Sequence, residues 1–261
     1  MQTACQGESN TMRAYASRFY DGYFVGVEGD VAFYAAHAKE ADGAVLEVGC
    51  GSGRIALALA RAGAEVAGLD LDADLLALAR GKAAEAGLAI EWGEGDMAEF
   101  DLGRRFAQIH VPYRTFQHLL APADQIRALH CMADHLDDDG LLLFDSFDPL
   151  GQLAAEGFTS PLCKDTDFVD TATGHQVVVY YSRAADPQTQ ILEQELIFEE
   201  IGADGVAVGR TFTRLLLRWS TRWELEHLLA GCGFEVMALD GDFAGGAYPG
   251  YGNQIWTARK V

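Results

Sequence analysis

The chain has 261 residues, a length that suits one enlarged α/β domain or one domain with a modest addition. Hydrophobic residues make up 49% of the chain and charged residues 22%, which excludes a disordered composition. The formal net charge of −20 repels phosphate backbones and predicts that nucleic acid is not a partner.

Aromatic residues recur along the N-terminal segment over residues 11–38, which is predicted to be helical. They are Tyr15, Phe19, Tyr20, Tyr23, Phe24, Phe33 and Tyr34. Such a stripe is typical of helices packed on the edge of a domain, and it also suits rings that line a ligand site. N-terminal helices are therefore predicted, and both roles stay open for their aromatic residues.

From residue 43 onward, short apolar runs alternate with helical patterns, which indicates βαβ units and a parallel sheet. Strands are predicted over residues 44–49, 65–70, 88–92, 106–111 and 140–145, and helices over residues 53–62, 72–85 and 123–136. Asp72 is predicted to cap the second of these helices, because aspartate is a favoured N-cap residue.

The alternation stops near Pro149 and gives way to three long predicted strands, over residues 176–183, 190–201 and 205–219. Turn signals between them indicate an antiparallel β meander. The regular pattern then resumes with a capping box at Thr221 and Glu224, which begins a helix. Two further strands are predicted over residues 234–239 and 254–258.

The predicted fold is an α/β, doubly wound, Rossmann-like domain with a seven-stranded and mostly parallel sheet. Residues 1–150 and 220–261 would form this domain, together with its N-terminal helical cap. Residues 151–219 would form an inserted antiparallel β region that serves as a lid or in substrate binding.

The strongest chemical signal is the segment from Glu47 to Gly53, which reads Glu-Val-Gly-Cys-Gly-Ser-Gly between a predicted strand and a predicted helix. Glycine lets the backbone turn sharply and approach a ligand closely, although an ordinary turn also uses it. A dinucleotide fingerprint needs G-x-G-x-x-G, and its third glycine would fall at Arg54. The segment instead reads G-x-G-x-G after an acid, and so it resembles motif I of the class I S-adenosylmethionine-dependent methyltransferases.

This resemblance implies a site for S-adenosylmethionine, whose product is S-adenosylhomocysteine. Asp70, 17 positions beyond Gly53, would accept hydrogen bonds from ribose hydroxyls, although dehydrogenases also place an acid there and a surface aspartate is the alternative. Asp96 and Met97 would hold the adenine, or else form a plain turn. The implied cofactor-binding residues are Tyr15, Tyr20, Glu47, Gly49, Gly51, Gly53, Asp70, Leu71, Asp96, Met97 and Val111.

The loop after the fourth strand should face the reacting methyl, because ligands of open α/β sheets lie outside the carboxyl ends of the strands. The loop resembles that of small-molecule methyltransferases, including amino-sugar N-methyltransferases. Tyr113, Arg114 and His118 are therefore candidate substrate residues. His118 is also a candidate catalytic residue that takes a proton, or else it makes a structural hydrogen bond. His110, within the strand, is predicted to be a core histidine whose hydrogen-bonding groups are satisfied.

Two further candidates lie outside this loop. The segment from Tyr15 to Asp21 resembles a Y-x-x-x-YD segment that folds over the cofactor in related enzymes, so Tyr20 is the second candidate catalytic residue. Arg218 is a candidate substrate residue, since arginine clamps carboxylates and phosphates. For Arg218, as for its neighbours Arg214 and Arg222, the alternative is pairing with the chain's own acids. No cluster in the sequence suggests a metal site.

The sequence thus predicts a methyltransferase that uses S-adenosylmethionine to methylate an oxygen or nitrogen atom of a small metabolite or natural-product intermediate. The alternatives are an NAD(P)-dependent oxidoreductase and a non-catalytic nucleoside-binding protein of the same fold. Five cysteines without a CxxC pair, no signal peptide and no apolar run of ~20 residues predict a cytoplasmic protein without a membrane partner. A monomer or a homodimer is expected.

Overall fold

The computed structural model describes residues 18–261, so Tyr15 lies outside the described residues. The chain folds as two compact units. The larger unit comprises residues 26–152 and 218–261, and the smaller one comprises residues 153–217 together with residues 18–25.

The described elements are numbered here in chain order through both units. They are α1 (residues 18–23), α2 (Asp30–Glu40), β1 (Val45–Val48), α3 (Arg54–Arg61), β2 (Val66–Asp70), α4 (Ala73–Glu85), β3 (Glu91–Glu94), β4 (Phe106–Val111), a 3₁₀ helix (Thr115–His118), α5 (Pro122–His135), β5 (Leu136–Asp148), α6 (Leu150–Glu156), β6 (Thr159–Val169), β7 (Gln176–Asp186), β8 (Ile191–Ile201), β9 (Ala207–Arg218), α7 (Arg222–Gly231), β10 (Phe234–Asp240) and β11 (Gly252–Lys260).

A seven-stranded sheet forms the centre of the larger unit, in the order β10-β11-β5-β4-β1-β2-β3. The pairs from β5 to β3 are parallel, whereas β11 runs antiparallel to both of its neighbours. The strand order reverses beside β1, which places the ends of β1 and β4 at the switch point where open α/β sheets bind ligands. The predicted doubly wound, mostly parallel sheet is confirmed.

Both faces of this sheet are covered, which explains why its strands read as unbroken apolar runs. Leu46 and Phe144 pack in one buried cluster with residues of α5 and α7. Val45 and Leu143 lie on the opposite face and pack with residues of α2 and α3. Neighbouring strand residues point to opposite faces, so adjacent positions belong to different clusters.

The smaller unit contains α1 and a four-stranded sheet in the order β6-β7-β8-β9. Its buried cluster is formed by Val177 and Val179 of β7, Leu196 and Phe198 of β8, and Phe19 of α1. The ring of Phe19 stacks on that of Phe198 with 5.2 Å between their centroids. A segment from the N-terminus of the chain therefore completes the core of the inserted sheet.

The sequence predicted three strands in this insertion, but the sheet has a fourth, β6. Its residues are mostly exposed and it includes Pro161, as befits an edge strand, so it lacks the apolar alternation that identified its neighbours. The predicted capping box is also wrong. Within the described residues Thr221 makes no side-chain cap, and Glu224 instead accepts a hydrogen bond from Arg218.

The other predicted bounds of helices and strands lie closer to the observed ones. Asp72 caps α4 as predicted, accepting hydrogen bonds from the N–H groups of Asp74 and Leu75. The third strand begins at Glu91 rather than at residue 88. Among the helices that the structure describes, none is long and apolar enough to cross a membrane.

Candidate active site

The glycine turn between β1 and α3 has a backbone that favours glycine at three positions. The φ angle is 71° at Gly49, 54° at Gly51 and 85° at Gly53, in the left-handed region that other residues rarely adopt. Space excludes side chains as well. A Cβ atom on Gly49 would overlap Thr115, and one on Gly53 would lie 3.1 Å from the ring of Trp92. The protein's own geometry therefore requires these glycines.

Glu47, the acid before the glycines, is buried and bonds to the start of α3. Its Oε2 accepts a hydrogen bond of 2.6 Å from the N–H of Ala56, in the first turn of that helix. Gly53, the N-cap residue, has no side chain to do this, so Glu47 supplies the cap from the neighbouring strand. Burial raises the pKa of Glu47 to about 8. In this structure its carboxyl group holds the turn, and its predicted contact with the cofactor stays a prediction.

Asp70 lies at the end of β2 and ties that strand to the glycine turn. Its Oδ2 accepts a hydrogen bond of 2.6 Å from the N–H of Gly51, and its Oδ1 accepts one of 2.9 Å from the N–H of Asp72. A carboxylate has about four acceptor sites, so both oxygens retain capacity for hydroxyl donors. Burial raises the pKa of Asp70, partly offset by these N–H donors.

The predicted adenine-binding residues lie beyond the ends of β2 and β3, with their side chains partly accessible. Leu71 follows Asp70 and is 52% exposed, which is unusual for leucine and leaves an apolar surface next to the carboxylate. Asp96 is exposed and its Oδ1 accepts a hydrogen bond from the N–H of Ala98, while Met97 is half-buried. Val111, at the end of β4, is fully buried.

Asp145, which the sequence analysis did not single out, organises the loop after β4. Tyr113 and Arg114 both have positive φ, and their N–H groups donate to the carboxylate of Asp145 at 2.7 and 3.0 Å. The hydroxyl of Tyr34 donates to the same carboxylate at 2.8 Å. The sequence does contain a signal that could have identified Asp145: it is an acid at the end of the apolar run of a strand, as Asp70 is.

Gln117 fixes the 3₁₀ helix to the end of β5 through its buried side chain. Its Nε2 donates to the carbonyl groups of Phe147 and Arg218, and its Oε1 accepts from the N–H of Phe147. His118, the next residue, is therefore held beside the carboxyl ends of β4 and β5. Gln117 was missed because a glutamine in a loop carries no sequence signal of its own.

His118 combines an accessible side chain with a desolvated environment. Its imidazole is exposed, yet the surrounding protein lowers its pKa from the usual 6.5. Within the described residues it makes no side-chain hydrogen bond, so the structural hydrogen bond considered for it is not observed there. A neutral, accessible imidazole can accept a proton.

His110 is a core residue, as the sequence predicted, but its hydrogen bonding is not fully satisfied, because its buried Nδ1 has no partner among the described residues. It is fully buried, its Nε2 lies 2.8 Å from the Oε1 of Gln108, and burial lowers its pKa to about 3. It therefore remains neutral at physiological pH.

Arg54 fills the position at which a dinucleotide fingerprint would have its third glycine. Its guanidinium makes a bidentate pair with the buried Asp30, with distances of 3.0 and 2.7 Å, and lies 5.5 Å from the centroid of the Tyr113 ring. The arginine thus links the start of α3 to the start of α2 and contacts the loop after β4.

The remaining predicted residues are distributed as follows. Arg218 belongs to the larger unit and pairs with Glu224 at 3.1 Å, while Arg214 pairs with Glu193 and Arg222 with Glu226. Pairing with acids of the chain is therefore observed for all three. Tyr20 belongs to the smaller unit, where its ring packs against Phe24. No group of metal-ligating side chains occurs among residues 18–261.

Comparison with known proteins identifies the domain. The family described as "Methyltransferase domain" matches residues 45–140. A curated relative from Streptomyces fradiae, the dTDP-3-amino-3,6-dideoxy-alpha-D-glucopyranose N,N-dimethyltransferase, is 37% identical over 101 residues. That match covers 39% of this chain and 38% of the relative's length. The cypemycin N-terminal methyltransferase of a Streptomyces species is 27% identical over 229 residues, with 84% of each chain covered.

Solved structures share the fold at low identity. The amino pentose methyltransferase CalS10 of Micromonospora echinaspora, solved with S-adenosylmethionine bound, has a TM-score of 0.70 at 24% identity, with 95% of each chain covered. The predicted resemblance to the class I S-adenosylmethionine-dependent methyltransferases is confirmed.

Proposed function

Because residues 45–140 form a methyltransferase domain, we propose that this protein transfers a methyl group from S-adenosylmethionine to a nitrogen or oxygen atom of a small molecule. The observation that carries the proposal is the glycine turn bonded to Asp70, with Gly51 donating its N–H to that carboxylate. The turn and the acid, which is an acceptor for hydroxyl groups, lie together beside the switch point of the sheet.

The residues present fit the cofactor that relatives bind. Asp70 retains acceptor capacity for ribose hydroxyls, and the exposed side chain of Leu71 offers an apolar surface for the nucleoside. Asp96 is exposed and can accept from an exocyclic amine, with Met97 next to it. Glu47 supports this surface indirectly by capping α3. When bound, S-adenosylmethionine supplies a methyl group attached to a positively charged sulfur. This sulfur is a good leaving group, because it becomes neutral when the methyl group is transferred.

The work left to the protein is therefore positioning and proton removal. Holding reacting groups in line can supply ~7–11 kcal/mol of the barrier. Asp145 and Gln117 fix the loop that carries the candidate substrate residues. In this proposal the neutral imidazole of His118 takes a proton from the molecule that receives the methyl group. Tyr20 and Tyr15 remain candidates for contacts with the cofactor.

Within this function, nitrogen is the acceptor that we propose. Both curated relatives described above are named for methylation of nitrogen. An amine carries a proton at neutral pH and must lose it before it can attack a methyl group. A histidine whose pKa is lowered is deprotonated at that pH and can take this proton. The net charge of −20 also favours the approach of a cationic amine.

Two other functions were considered from the sequence. A nicotinamide cofactor would need the third glycine of its fingerprint, and Arg54 at that position is committed to Asp30. A non-catalytic protein of the same fold would bind the nucleoside without turnover, so only a measurement of turnover separates it from the enzyme.

The test has two stages. In the first, calorimetry compares S-adenosylmethionine, S-adenosylhomocysteine and NAD as ligands of the purified protein, and we expect the first two to bind and NAD not to. In the second, transfer of a labelled methyl group is measured for paired small molecules that differ only in an amino or hydroxyl group. Binding of NAD alone would refute the methyltransferase, and transfer only to the hydroxyl members would refute the nitrogen acceptor.

A further inference from the structure

Among the described arginines whose side chains are not exposed, Arg114 alone lacks an ion pair with a carboxylate. Four described arginines have side chains that are not exposed: Arg54, Arg114, Arg183 and Arg218. The other three have a carboxylate within 4.0 Å: Asp30 for Arg54, Glu156 for Arg183 and Glu224 for Arg218. Arg114 has none among residues 18–261, although the chain contains 39 acidic residues.

The contacts of the Arg114 side chain are weak ones. Its Nη2 donates to the Oδ1 of Asn253 over a long 3.4 Å, and its guanidinium carbon lies 4.5 Å from the centroid of the Phe147 ring. The Nε of Arg114 is buried without an acceptor, but so are those of Arg183, Arg218 and Arg259. The missing carboxylate is therefore what distinguishes Arg114.

The carboxylate of Asp145 hydrogen-bonds to the backbone of Arg114, and it acts on the guanidinium only through its charge, without an ion pair within 4.0 Å. Asp145 accepts hydrogen bonds from the N–H groups of Tyr113 and Arg114 and from the hydroxyl of Tyr34. Arg114 keeps a left-handed φ of 62° in this arrangement. The fold therefore holds the main chain at this point through Asp145 and leaves the guanidinium without a hydrogen-bonded carboxylate, and the charge of Asp145 offsets only part of the effect of burial.

An unmatched and partly buried cation is costly, because burial removes water without replacing it by an opposite charge. In agreement with this, burial lowers the pKa of Arg114 from its usual 12.5. A guanidinium group binds carboxylate or phosphate through two parallel hydrogen bonds, which would remove this cost. The position of Arg114, three residues beyond the end of β4, places it at the ligand-binding edge of the sheet.

We propose that Arg114 and Asn253 bind an anionic group, a carboxylate or a phosphate, carried by the methyl acceptor. This proposal rests on the proposed function and adds a substrate class to it. The acceptor would have a nucleophilic atom at one point and an anion at another, and Arg114 would set its orientation by holding the anion.

The first test measures anion binding directly. Inorganic phosphate and acetate are titrated separately into the full-length protein saturated with S-adenosylhomocysteine, and binding is followed by calorimetry. We expect one of the two to bind at a single site, and binding to R114Q to be at least about tenfold weaker because one partner of a charge pair is lost. The anion that binds identifies the group as phosphate or carboxylate.

R61Q is the matched control, since Arg61 is exposed, lies at the end of α3 and loses the same charge. It should bind the anion as the unmodified protein does. R114K keeps the charge but not the planar fork, and an intermediate affinity is expected. Equal binding by R114Q and the unmodified protein, or no binding of either anion, would overturn the proposal.

A second measurement separates this proposal from the function on which it rests. The affinity for S-adenosylhomocysteine should be the same in R114Q, R61Q and the unmodified protein. A tenfold loss confined to R114Q would assign Arg114 to the carboxylate of the cofactor, which would overturn the substrate anion and leave the methyltransferase standing. If the unmodified protein does not bind S-adenosylhomocysteine, the proposed methyltransferase function is refuted instead. Anion binding would then be measured in the absence of S-adenosylhomocysteine. Thermal unfolding of each variant verifies that it is folded.

Discussion

At the scale of single residues, the two acids that the sequence linked to the cofactor also build the protein. Asp70 accepts N–H groups from Gly51 and Asp72, and Glu47 accepts one from Ala56. A substitution at either position therefore changes the turn as well as any ligand contact. Experiments on these residues need controls that report folding separately from binding.

Replacing Asp70 by alanine should weaken binding of S-adenosylmethionine at least about tenfold. The variant loses the acceptors for ribose hydroxyls and the hydrogen bond to Gly51, and hydrogen bonds to a charged group contribute about 1.5–3 kcal/mol each. Calorimetry measures the affinity, and D74A, at an exposed acid in the first turn of α4, is the control. An unchanged affinity in a folded D70A protein would remove Asp70 from the cofactor site.

Replacing His118 by alanine should lower kcat by a factor of about 10²–10⁴, the range for a general base, with little change in cofactor affinity. In the unmodified protein kcat should fall as the pH drops through the pKa of His118, which lies below 6.5 because of desolvation. This acid limb should disappear in H118A. The readout is the pH profile of kcat with an amine acceptor. A profile that H118A leaves unchanged would show that another group takes the proton.

At the scale of elements, the start of α3 shows how a strand can complete a helix. Gly53 must be glycine because its φ is 85°, so the helix lacks a side-chain cap of its own. The carboxyl group of Glu47 on β1 replaces it. The opposite happens at α7, where Thr221 and Glu224 match a capping box but Glu224 pairs with Arg218. Residues outside the helix thus decide the capping in both places: Glu47 supplies a missing cap at α3, and Arg218 pairs with Glu224 at α7.

Replacing Glu47 by glutamine should alter how stability depends on pH. The pKa of Glu47 is raised from 4.5 to about 8, so the folded state holds this proton more tightly than the unfolded state. Stability from this group is complete below pH 4.5 and is lost as the pH rises through about 8, by at most about 5 kcal/mol. E47Q stays neutral and keeps an acceptor for Ala56, so it escapes this loss.

Denaturant unfolding of E47Q and of the unmodified protein, at a series of pH values, measures the difference. The advantage of E47Q should grow from acid to mildly alkaline pH. E40Q, at an exposed acid at the end of α2, makes the same substitution at the surface and is the matched control. A difference for E47Q that does not vary with pH would mean that the pKa of Glu47 is the same in the folded and unfolded states.

At the scale of the whole molecule, each of the two units has its own buried cluster. Phe19, Val177 and Phe198 belong to the cluster of the smaller unit, whereas Phe106 belongs to the larger one. Loss of a core side chain should therefore weaken mainly the unit that contains it.

Replacing Phe19 by alanine should destabilise the smaller unit by about 3–5 kcal/mol, the usual cost of deleting a buried phenylalanine. Hydrogen exchange should become faster in β7 and β8 and stay unchanged in β1 and β4. F106A, which removes an equally buried ring from the larger unit, should give the reverse pattern. Equal acceleration in both units after F19A would show that they unfold as one.

The sequence alone determined the doubly wound sheet, the glycine turn and the acid at the end of β2, because these depend on local patterns: apolar runs, backbone freedom and spacing. It also identified Asp72 as a cap and His110 as a core residue. Only the tertiary structure revealed β6, whose exposed edge residues need no apolar alternation, and the roles of Asp145 and Gln117, which bond to residues far away in the chain. The same holds for Arg114, since the lack of an ion pair for its half-buried guanidinium depends on which residues folding brings together.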